Sequence, residues 1–342
     1  MLRGEYMQST KIKTLLIYKY LRKYSDIDNP LSSHQLIELL NNDGVVCERK
    51  SIYADVKALN EIGIKVESVL SPKRGFYLNS REFSTPEVRL LVDAVKSAGF
   101  ITPQMTRSLT AKLKGLLSEN QAKSLSSQVY RDDVNKCDNE NIYQIIDMLD
   151  KAISHRKKVT VKYRTRKIDK ENRKSFTTKI FVVSPYALIW KDDRYYLVCN
   201  KSTHDNLMNL RLDRIRDINV LEDTARPVHE CSEYIVFDAA DYSSKMFNMF
   251  SGKVENVTLR CHLDLREQIL DRFGSAIPLV AVDIQHFETN VKVAVSDGFV
   301  SWIMQFGDKI KVIRPAHLAE SVSSKARKIA SVYEDKPKTA TY

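Results

Sequence analysis

The sequence predicts a multidomain protein of the α+β class, and three observations lead to this prediction. Its 342 residues exceed what one ordinary hydrophobic core supports, so two or three domains are expected. Helical patterns fill most of the first 157 residues, and five or six short strand patterns crowd the next sixty or so. Strands alternate with helices in the last hundred residues, and 43% of the chain is hydrophobic, as in an ordinary globular protein.

Three helices are predicted at the start of the chain. Lys11 to Tyr24 carries apolar residues at helical spacing. Ser32 and Gln35 have the spacing of a capping box, which predicts the start of a second helix that stops at residues 41–44. A third helix, Glu48 to Ile62, follows after a tight turn, and this order is typical of a helix-turn-helix.

A hairpin is predicted after the third helix. The runs Ile64 to Leu70 and Gly75 to Leu78 flank a basic tip at residues 71–74, so residues 1–83 are predicted to form a winged helix-turn-helix. A recognition helix reads bases from its first turn, which makes Arg49, Lys50 and Ser51 the base-reading candidates. The candidates for phosphate contacts are Tyr53, Lys57, Lys73 and Arg74. The alternative is a helical bundle with a solvated basic turn.

Residues 84–148 are predicted to form a helical linker or dimerisation region. Ser84 to Glu87 has a helix-start pattern, and the chain reads as helical to about Ser118. The Ser-, Asn- and Asp-rich stretch Glu119 to Glu140 is predicted to be a surface loop. A further helix is expected from Asn141 to Lys157.

The remaining chain is predicted to contain two further domains. Residues 149–228 form a small β-barrel in this prediction, with strands at Val159–Arg164, Ile180–Ser184, Tyr186–Trp190, Arg194–Cys199, Asn206–Leu212 and Ile215–Val220. Residues 229–342 form a small α+β sandwich, in which strands and helices alternate from Val257 to Tyr333.

Aromatic and arginine side chains meet in the predicted barrel. Because side chains alternate along a strand, Tyr196 is expected to leave the core face that Tyr195 and Leu197 share. Arg211 would lie beside Tyr196 if the two strands pair. A ring beside a guanidinium suits a planar, phosphate-bearing ligand such as a nucleotide or single-stranded nucleic acid. The alternative is a half-buried sheet with a solvated arginine.

Charge points to a polyanionic partner. The formal net charge is +11, and residues 150–228 carry 19 Lys and Arg against 10 Asp and Glu. The five cysteines are an odd number without a C-x-x-C pair, which argues against a disulfide framework; no metal site and no cofactor is expected. Neither a membrane span nor a secretory signal is indicated, so a soluble cytoplasmic protein is expected.

These motifs resemble those of the bacterial WYL-domain transcriptional regulators, which join a winged helix-turn-helix to a WYL domain and a C-terminal WCX extension. The resemblance covers nearly the whole chain and rests on Ser51–Leu59, Ser184–Leu188, Arg194–Val198, Leu210–Ile215, Phe299–Gly307 and Val312–Pro315. There are two departures. Tyr195 stands where the motif has tryptophan, and Ala54 stands where relatives usually carry arginine.

The resemblance implies a homodimer that binds double-stranded operator DNA. It also implies an Sm-like, SH3-type barrel that senses an effector, and a C-terminal domain of the α+β, ferredoxin-like kind. Carried over to this sequence, the ligand-binding residues would be Tyr196 and Arg211, with Tyr163, Arg164, Tyr186 and Arg214 as weaker candidates. Two other functions stay open: an adaptor that binds a nucleoprotein effector through its barrel, and an enzyme acting on nucleic acid. The chain has no catalytic motif of the P-loop, zinc-protease or nucleophile-elbow kind, so no enzyme and no catalytic residue is predicted.

Overall fold

The structure is a computed structural model that describes residues 10–126, 136–168 and 174–334. The chain divides into two compact units, residues 1–138 and residues 139–342. Five free cysteines are present and none is in a disulfide. No helix in the described ranges is both long enough and apolar enough to cross a membrane.

Three helices open the first unit, close to their predicted positions. They are α1 (Thr10–Tyr24), α2 (Ser33–Asn42) and α3 (Arg49–Glu61). Their apolar faces meet in one core that includes Ile17, Leu21, Leu36 and Ile52. The predicted capping box at the start of α2 is confirmed: the Gln35 amide donates to Ser32 Oγ over 3.2 Å, and the Ser32 amide donates to Gln35 Oε1 over 2.8 Å.

The hairpin follows as strands β1 (Val66–Val69) and β2 (Gly75–Leu78), which pair antiparallel. It is tied to the helices through Leu31, whose amide and carbonyl both bond to the backbone of Phe76 over 2.8 Å. Gly75 is required at this approach, because a Cβ there would lie 2.7 Å from the carbonyl oxygen of Leu31. The order of three helices and a hairpin is the one that the sequence predicts.

Three more helices complete the described part of the first unit: α4 (Thr85–Ser97), α5 (Pro103–Lys114) and α6 (Glu119–Ser126). Ser84 caps α4 with Glu87, as its helix-start pattern predicts. The prediction of a loop over 119–140 is wrong for α6, because Ser118 and Gln121 form a capping box and Leu125 is buried. The part of that predicted loop at residues 127–135 lies outside the described residues.

The second unit begins with α7 (Ile142–Ser154) and a five-stranded antiparallel sheet. The strands are β3 (Lys157–Ile168), β4 (Lys174–Lys191), β5 (Arg194–Lys201), β6 (Leu207–Arg211) and β7 (Ile215–Thr224). They lie in the order β6-β5-β4-β3-β7, and a single 3-10 turn at Leu212–Arg214 joins β6 to β7. The two predicted strands on either side of Pro185 are one strand, β4, with a bulge between Pro185 and Ala187. A bulge lets a strand pass proline without ending.

A chain segment then covers one end of this sheet. Residues 228–249, here called the cover segment, contain helix α8 (Ala239–Lys245), which the sequence did not predict. Cys231, Tyr242, Met246 and Met249 of the cover segment are buried against β4, β5 and β6. The segment therefore adds an apolar layer to part of the sheet.

A second sheet and three helices complete the unit. The elements are β8 (Lys253–His262), α9 (Arg266–Phe273), β9 (Val280–Ala281), β10 (His286–Val295), α10 (Asp297–Met304), β11 (Ile310–Arg314) and α11 (Ala316–Glu334). The antiparallel strands lie in the order β11-β8-β10-β9. From β8 to β11 the elements follow the βαββαβ order of ferredoxin-like domains. Their core includes Leu259, Phe287, Phe299 and Leu318, and the short strand β9 was not predicted.

Candidate functional site

The first candidate site lies at the start of α3 and on the hairpin. Arg49 Nη2 donates to the Tyr53 hydroxyl over 3.4 Å, and the Tyr53 ring packs edge-on against Phe76 with 5.3 Å between centroids. The hydrogen bond from Arg49 and the positive charges of Arg49 and Arg74 lower the pKa of Tyr53. Arg49, Tyr53 and Arg74 are all exposed, so a helix and a hairpin contribute to one cationic, aromatic cluster.

The other predicted DNA-binding residues differ in their surroundings. Lys50, Lys57 and Lys73 are exposed, and Lys57 Nζ lies 3.9 Å from a carboxylate oxygen of Glu61. Ser51 is half-buried and its hydroxyl is hydrogen-bonded to the ammonium group of Lys13. The hydroxyl of Ser51 therefore has a partner inside the fold, and sequence pattern alone did not indicate this.

A buried charged group holds α3 against α1. The carboxylate of Asp55 lies 2.9 Å from Lys13 Nζ, and it accepts a hydrogen bond of 2.6 Å from the hydroxyl of Thr14. The Asp55 and Lys13 side chains are only 7% and 12% exposed. This ion pair joins the middle of α3 to α1. No sequence pattern predicted this pair.

The second candidate site is the pair Tyr196 and Arg211. Strands β5 and β6 pair in the register that places Tyr196 directly opposite Arg211, so the prediction that these two residues converge is confirmed. Tyr196 leaves the face that Leu197 occupies, as predicted, but it is not exposed there, because its side chain is buried among Ile189, Met246 and Tyr242. The cover segment lies over the face that alternation assigned to solvent. Burial also raises the pKa of Tyr196.

Both faces of β5 are consequently buried. Leu197 lies in the core as predicted, whereas Tyr195 is only half-buried, edge-on against Trp190 with 6.5 Å between centroids.

Arg211 is engaged by a carboxylate two residues further along the chain. Its Nη2 lies 2.6 Å from Asp213 Oδ2 and its Nε lies 3.0 Å from Asp213 Oδ1, which is a two-point contact. These hydrogen bonds raise the pKa of the Arg211 guanidinium. The Arg211 amide also donates to the Tyr163 hydroxyl over 3.4 Å. Tyr163, Tyr196, Arg211 and Asp213 therefore form one cluster.

The remaining ligand-binding candidates have different surroundings. The Tyr186 hydroxyl donates to the carbonyl of Arg226 over 2.8 Å and lies 3.3 Å from Cys231 Sγ, and burial raises the pKa of Tyr186. The guanidinium of Arg164 stacks over Phe176, with 4.2 Å from its central carbon to the ring centroid. Arg214 is exposed. Tyr186 thus ties the cover segment to the sheet.

A cavity of about 650 Å³ lies between β6, the cover segment and the start of β8. Its floor includes Leu207, Cys231, Tyr242 and Met246, which also belong to the cluster around Tyr196. This volume is in the range of small-molecule sites. Sequence analysis did not predict it, because its walls come from three separate stretches of chain. Within the described ranges, no group of three or more His, Cys, Asp and Glu side chains is placed to hold a metal ion.

Two family models match the second unit. The WYL domain model matches residues 144–220, which contain most of α7 and most of the five-stranded sheet. The WCX domain model matches residues 253–330, which contain the four-stranded sheet and its helices. The cover segment lies between the two matched ranges.

Known proteins give weaker similarities. The chain is 19% identical over 299 residues to a Bacillus subtilis (strain 168) protein described as "Uncharacterized HTH-type transcriptional regulator YobV", covering 83% of this chain and 90% of that one. Among solved structures, it is similar to the proteasome accessory factor B/C (PafBC) of Arthrobacter aurescens, with 12% identity, a TM-score of 0.28 and coverage of 98% of this chain and 52% of that one. This chain thus spans about half the length of the PafBC chain.

A structure described as a CRISPR Cas-related protein is also similar, with 13% identity, a TM-score of 0.36 and coverage of 97% of this chain and 88% of that one. The two domain matches carry the assignment: this chain contains a WYL domain and a C-terminal WCX domain.

Proposed function

We propose that this protein is a DNA-binding transcriptional regulator. The observation that carries the proposal is the exposed cluster of Arg49, Tyr53 and Arg74, in which the first turn of α3 and the hairpin present cationic groups together. The similarity to a protein named as an HTH-type transcriptional regulator supports it. In this proposal residues 1–83 act as a winged helix-turn-helix in a soluble, cytoplasmic homodimer.

The proposed docking places α3 in the major groove of double-stranded operator DNA. Arg49 and Lys50 lie in the first turn of α3 and would reach base edges, and the Ser51 hydroxyl would do so only by leaving Lys13. Lys57, Lys73 and Arg74 would contact phosphates, and the Tyr53 hydroxyl would donate to one. The Asp55–Lys13 pair would hold α3 in the orientation for this contact.

We also propose that the WYL domain senses an effector through Arg211 and Tyr196, in a sheet that closes as an Sm-like, SH3-type barrel. Arg211 already holds a carboxylate in a two-point contact, so a nucleotide or single-stranded nucleic acid would bind by replacing Asp213 with a phosphate. Regulation would require that the ligand binds one arrangement of the dimer more tightly than another. No enzymatic activity is part of this proposal.

DNA binding is tested by selecting an operator from random duplexes and measuring its affinity at a fixed, stated salt concentration. We expect Arg49→Ala to weaken binding to the selected operator by roughly 1–3 kcal/mol and to make the protein less selective for the operator sequence. Lys311→Ala is the control, because Lys311 is an exposed cation on β11, far along the chain from the hairpin. Selection that yields no preferred duplex, or equal affinities for both variants, would contradict the proposal.

Effector sensing is tested separately, by isothermal titration of wild type and Arg211→Ala with single-stranded oligonucleotides and nucleotides. We expect loss of effector binding in Arg211→Ala, with operator affinity unchanged when no effector is present. If Arg211→Ala binds the effector as tightly as wild type, Arg211 is not part of the effector site. An effector that turns out to be a protein complex would favour the adaptor function instead.

A further inference from the structure

The outer face of β3 and β4 carries two rows of exposed side chains of different chemistry. Strands β3 and β4 pair in regular register from Val159 opposite Val183 to Ile168 opposite Lys174, so side chains of even number share one face. On that face Lys162 lies opposite Ile180, and Arg166 lies opposite Phe176. The odd-numbered side chains of Val159, Val161 and Val183 are buried on the other face.

The row on β4 is apolar and open. Phe176, Ile180 and Val182 are 46%, 69% and 44% exposed. The neighbouring half of the same face, around Tyr196 and Val198, is covered by Cys231, Tyr242 and Met246 of the cover segment. One half of this face thus has an apolar layer over it, and the other half leaves three large apolar side chains in contact with water, which is unfavourable for an isolated surface.

The row on β3 is cationic. Lys162, Arg164 and Arg166 follow at two-residue intervals, roughly 6.8 Å apart, and the two rows are about 4.8 Å apart across the strand pair. Arg164 stacks on Phe176 and so joins the rows. Asp217 lies opposite Lys162 on β7.

We propose that this face docks an acidic, amphipathic segment of a protein partner, in which an apolar row packs on Phe176, Ile180 and Val182 and an acidic row faces Lys162, Arg164 and Arg166. Two features favour a protein over nucleic acid. Ile180 and Val182 offer no ring for a base to stack on, and one face of the Phe176 ring is already occupied by Arg164. Large apolar groups flanked by arginine are typical of protein interfaces.

The proposed docking residues share a sheet face with Tyr196 and Arg211 but include neither of them, so this inference does not depend on effector sensing by Arg211. It also does not depend on operator binding, because its residues lie in β3 and β4 and none belongs to α3 or the hairpin.

The test uses the full chain and a labelled 18-residue helical peptide of Leu, Phe and Glu, whose apolar and acidic residues form two adjacent stripes, as the two rows on β3 and β4 do. Two comparison probes are the same peptide with Lys in place of Glu, and a single-stranded oligonucleotide of 20 thymidines. Fluorescence anisotropy is measured for wild type, Ile180→Ser, and the double variant Lys162→Glu with Arg166→Glu. These three positions are exposed, so the variants should fold.

We expect wild type to bind the acidic peptide and not its lysine counterpart, and both variants to weaken that binding by at least about tenfold, equivalent to 1.4 kcal/mol. Two matched controls, Ile284→Ser and Lys311→Glu, replace an exposed aliphatic residue and an exposed cation elsewhere and should bind like wild type. Two results would overturn the proposal directly: no binding of the acidic peptide by wild type, or binding that Ile180→Ser leaves unchanged. The proposal would also be overturned if the oligonucleotide displaces the peptide and only the double variant lowers the affinity for the oligonucleotide.

Discussion

At the scale of single residues, an arginine of the five-stranded sheet, Arg211, is paired with a carboxylate of the same chain, Asp213. The carboxylate of Asp213 holds the guanidinium of Arg211 through two hydrogen bonds, and the Tyr163 hydroxyl accepts a hydrogen bond from the Arg211 backbone amide. An arginine fixed by a carboxylate in this way loses less conformational freedom when a phosphate takes the carboxylate's place. The same contact also stabilises the turn between β6 and β7.

Asp213→Asn should therefore destabilise the second unit. The side chains of Arg211 and Asp213 are 26% and 14% exposed, so loss of the carboxylate leaves a half-buried guanidinium without its charged partner, at a cost of about 1–3 kcal/mol. Both tryptophans of the chain, Trp190 and Trp302, lie in the second unit. Urea unfolding followed by tryptophan fluorescence measures this unit selectively.

Asp205→Asn is the matched control, because the Asp205 carboxylate also pairs with an arginine, Arg226, over 2.9 Å but is 85% exposed. Exposed pairs contribute about 0–1 kcal/mol. Equal losses for the two variants would show that the contact of Arg211 with Asp213 has no special structural role.

At the scale of elements, the Asp55–Lys13 pair holds α3 against α1. Lys13 also bonds to Ser51, so one ammonium group connects α1 to the first turn and the middle of α3. Two nearly buried charges are costly to separate, because each would then be desolvated without a partner. We therefore expect α3 to depend on this pair more than on any of its exposed contacts.

Asp55→Ala should open α3 locally, with a loss of about 3–5 kcal/mol in the free energy of opening. Hydrogen–deuterium exchange of peptides from residues 48–62 measures this opening directly. Glu61→Ala is the control, since it breaks the exposed Lys57–Glu61 contact. It should change the free energy of opening of α3 by less than about 0.5 kcal/mol. Protection of α3 that survives in Asp55→Ala would mean that apolar packing alone fixes this helix.

Local patterns predicted most elements well, and their failures have a common cause. The capping boxes at Ser32 and Ser84 act within four residues, so the sequence is sufficient to place α2 and α4. The pairing of Tyr196 with Arg211 was predictable because both strands alternate regularly. The burial of Tyr196 was not, because Met246 and Tyr242, which cover it, come from a segment some fifty residues away. Ser51 and Lys13 likewise meet only in the folded chain.

At the scale of the whole molecule, positive charge is unevenly spread. Residues 150–228 carry most of the net charge, whereas residues 1–84 carry 13 Lys and Arg against 10 Asp and Glu. The proposed DNA-binding unit is thus only weakly basic, so its affinity for DNA must depend on a few well-placed cations. Residues 150–228, with their excess of cations, would bind an anionic partner other than the operator.

The salt dependence of operator binding follows from this distribution. If Lys57, Lys73 and Arg74 each contact one phosphate, a dimer makes about six such contacts, and the logarithm of the association constant should fall with the logarithm of salt concentration with a slope of about −5. Arg74→Ala removes two contacts from the dimer and should make the slope less steep by about 2, whereas Lys311→Ala should leave it unchanged. Anisotropy titrations of a labelled operator at four salt concentrations give these slopes. A slope near −10 that is insensitive to Arg74 would show that cations outside the first unit contact the duplex, and would point to the basic face of the WYL sheet as a DNA-binding surface.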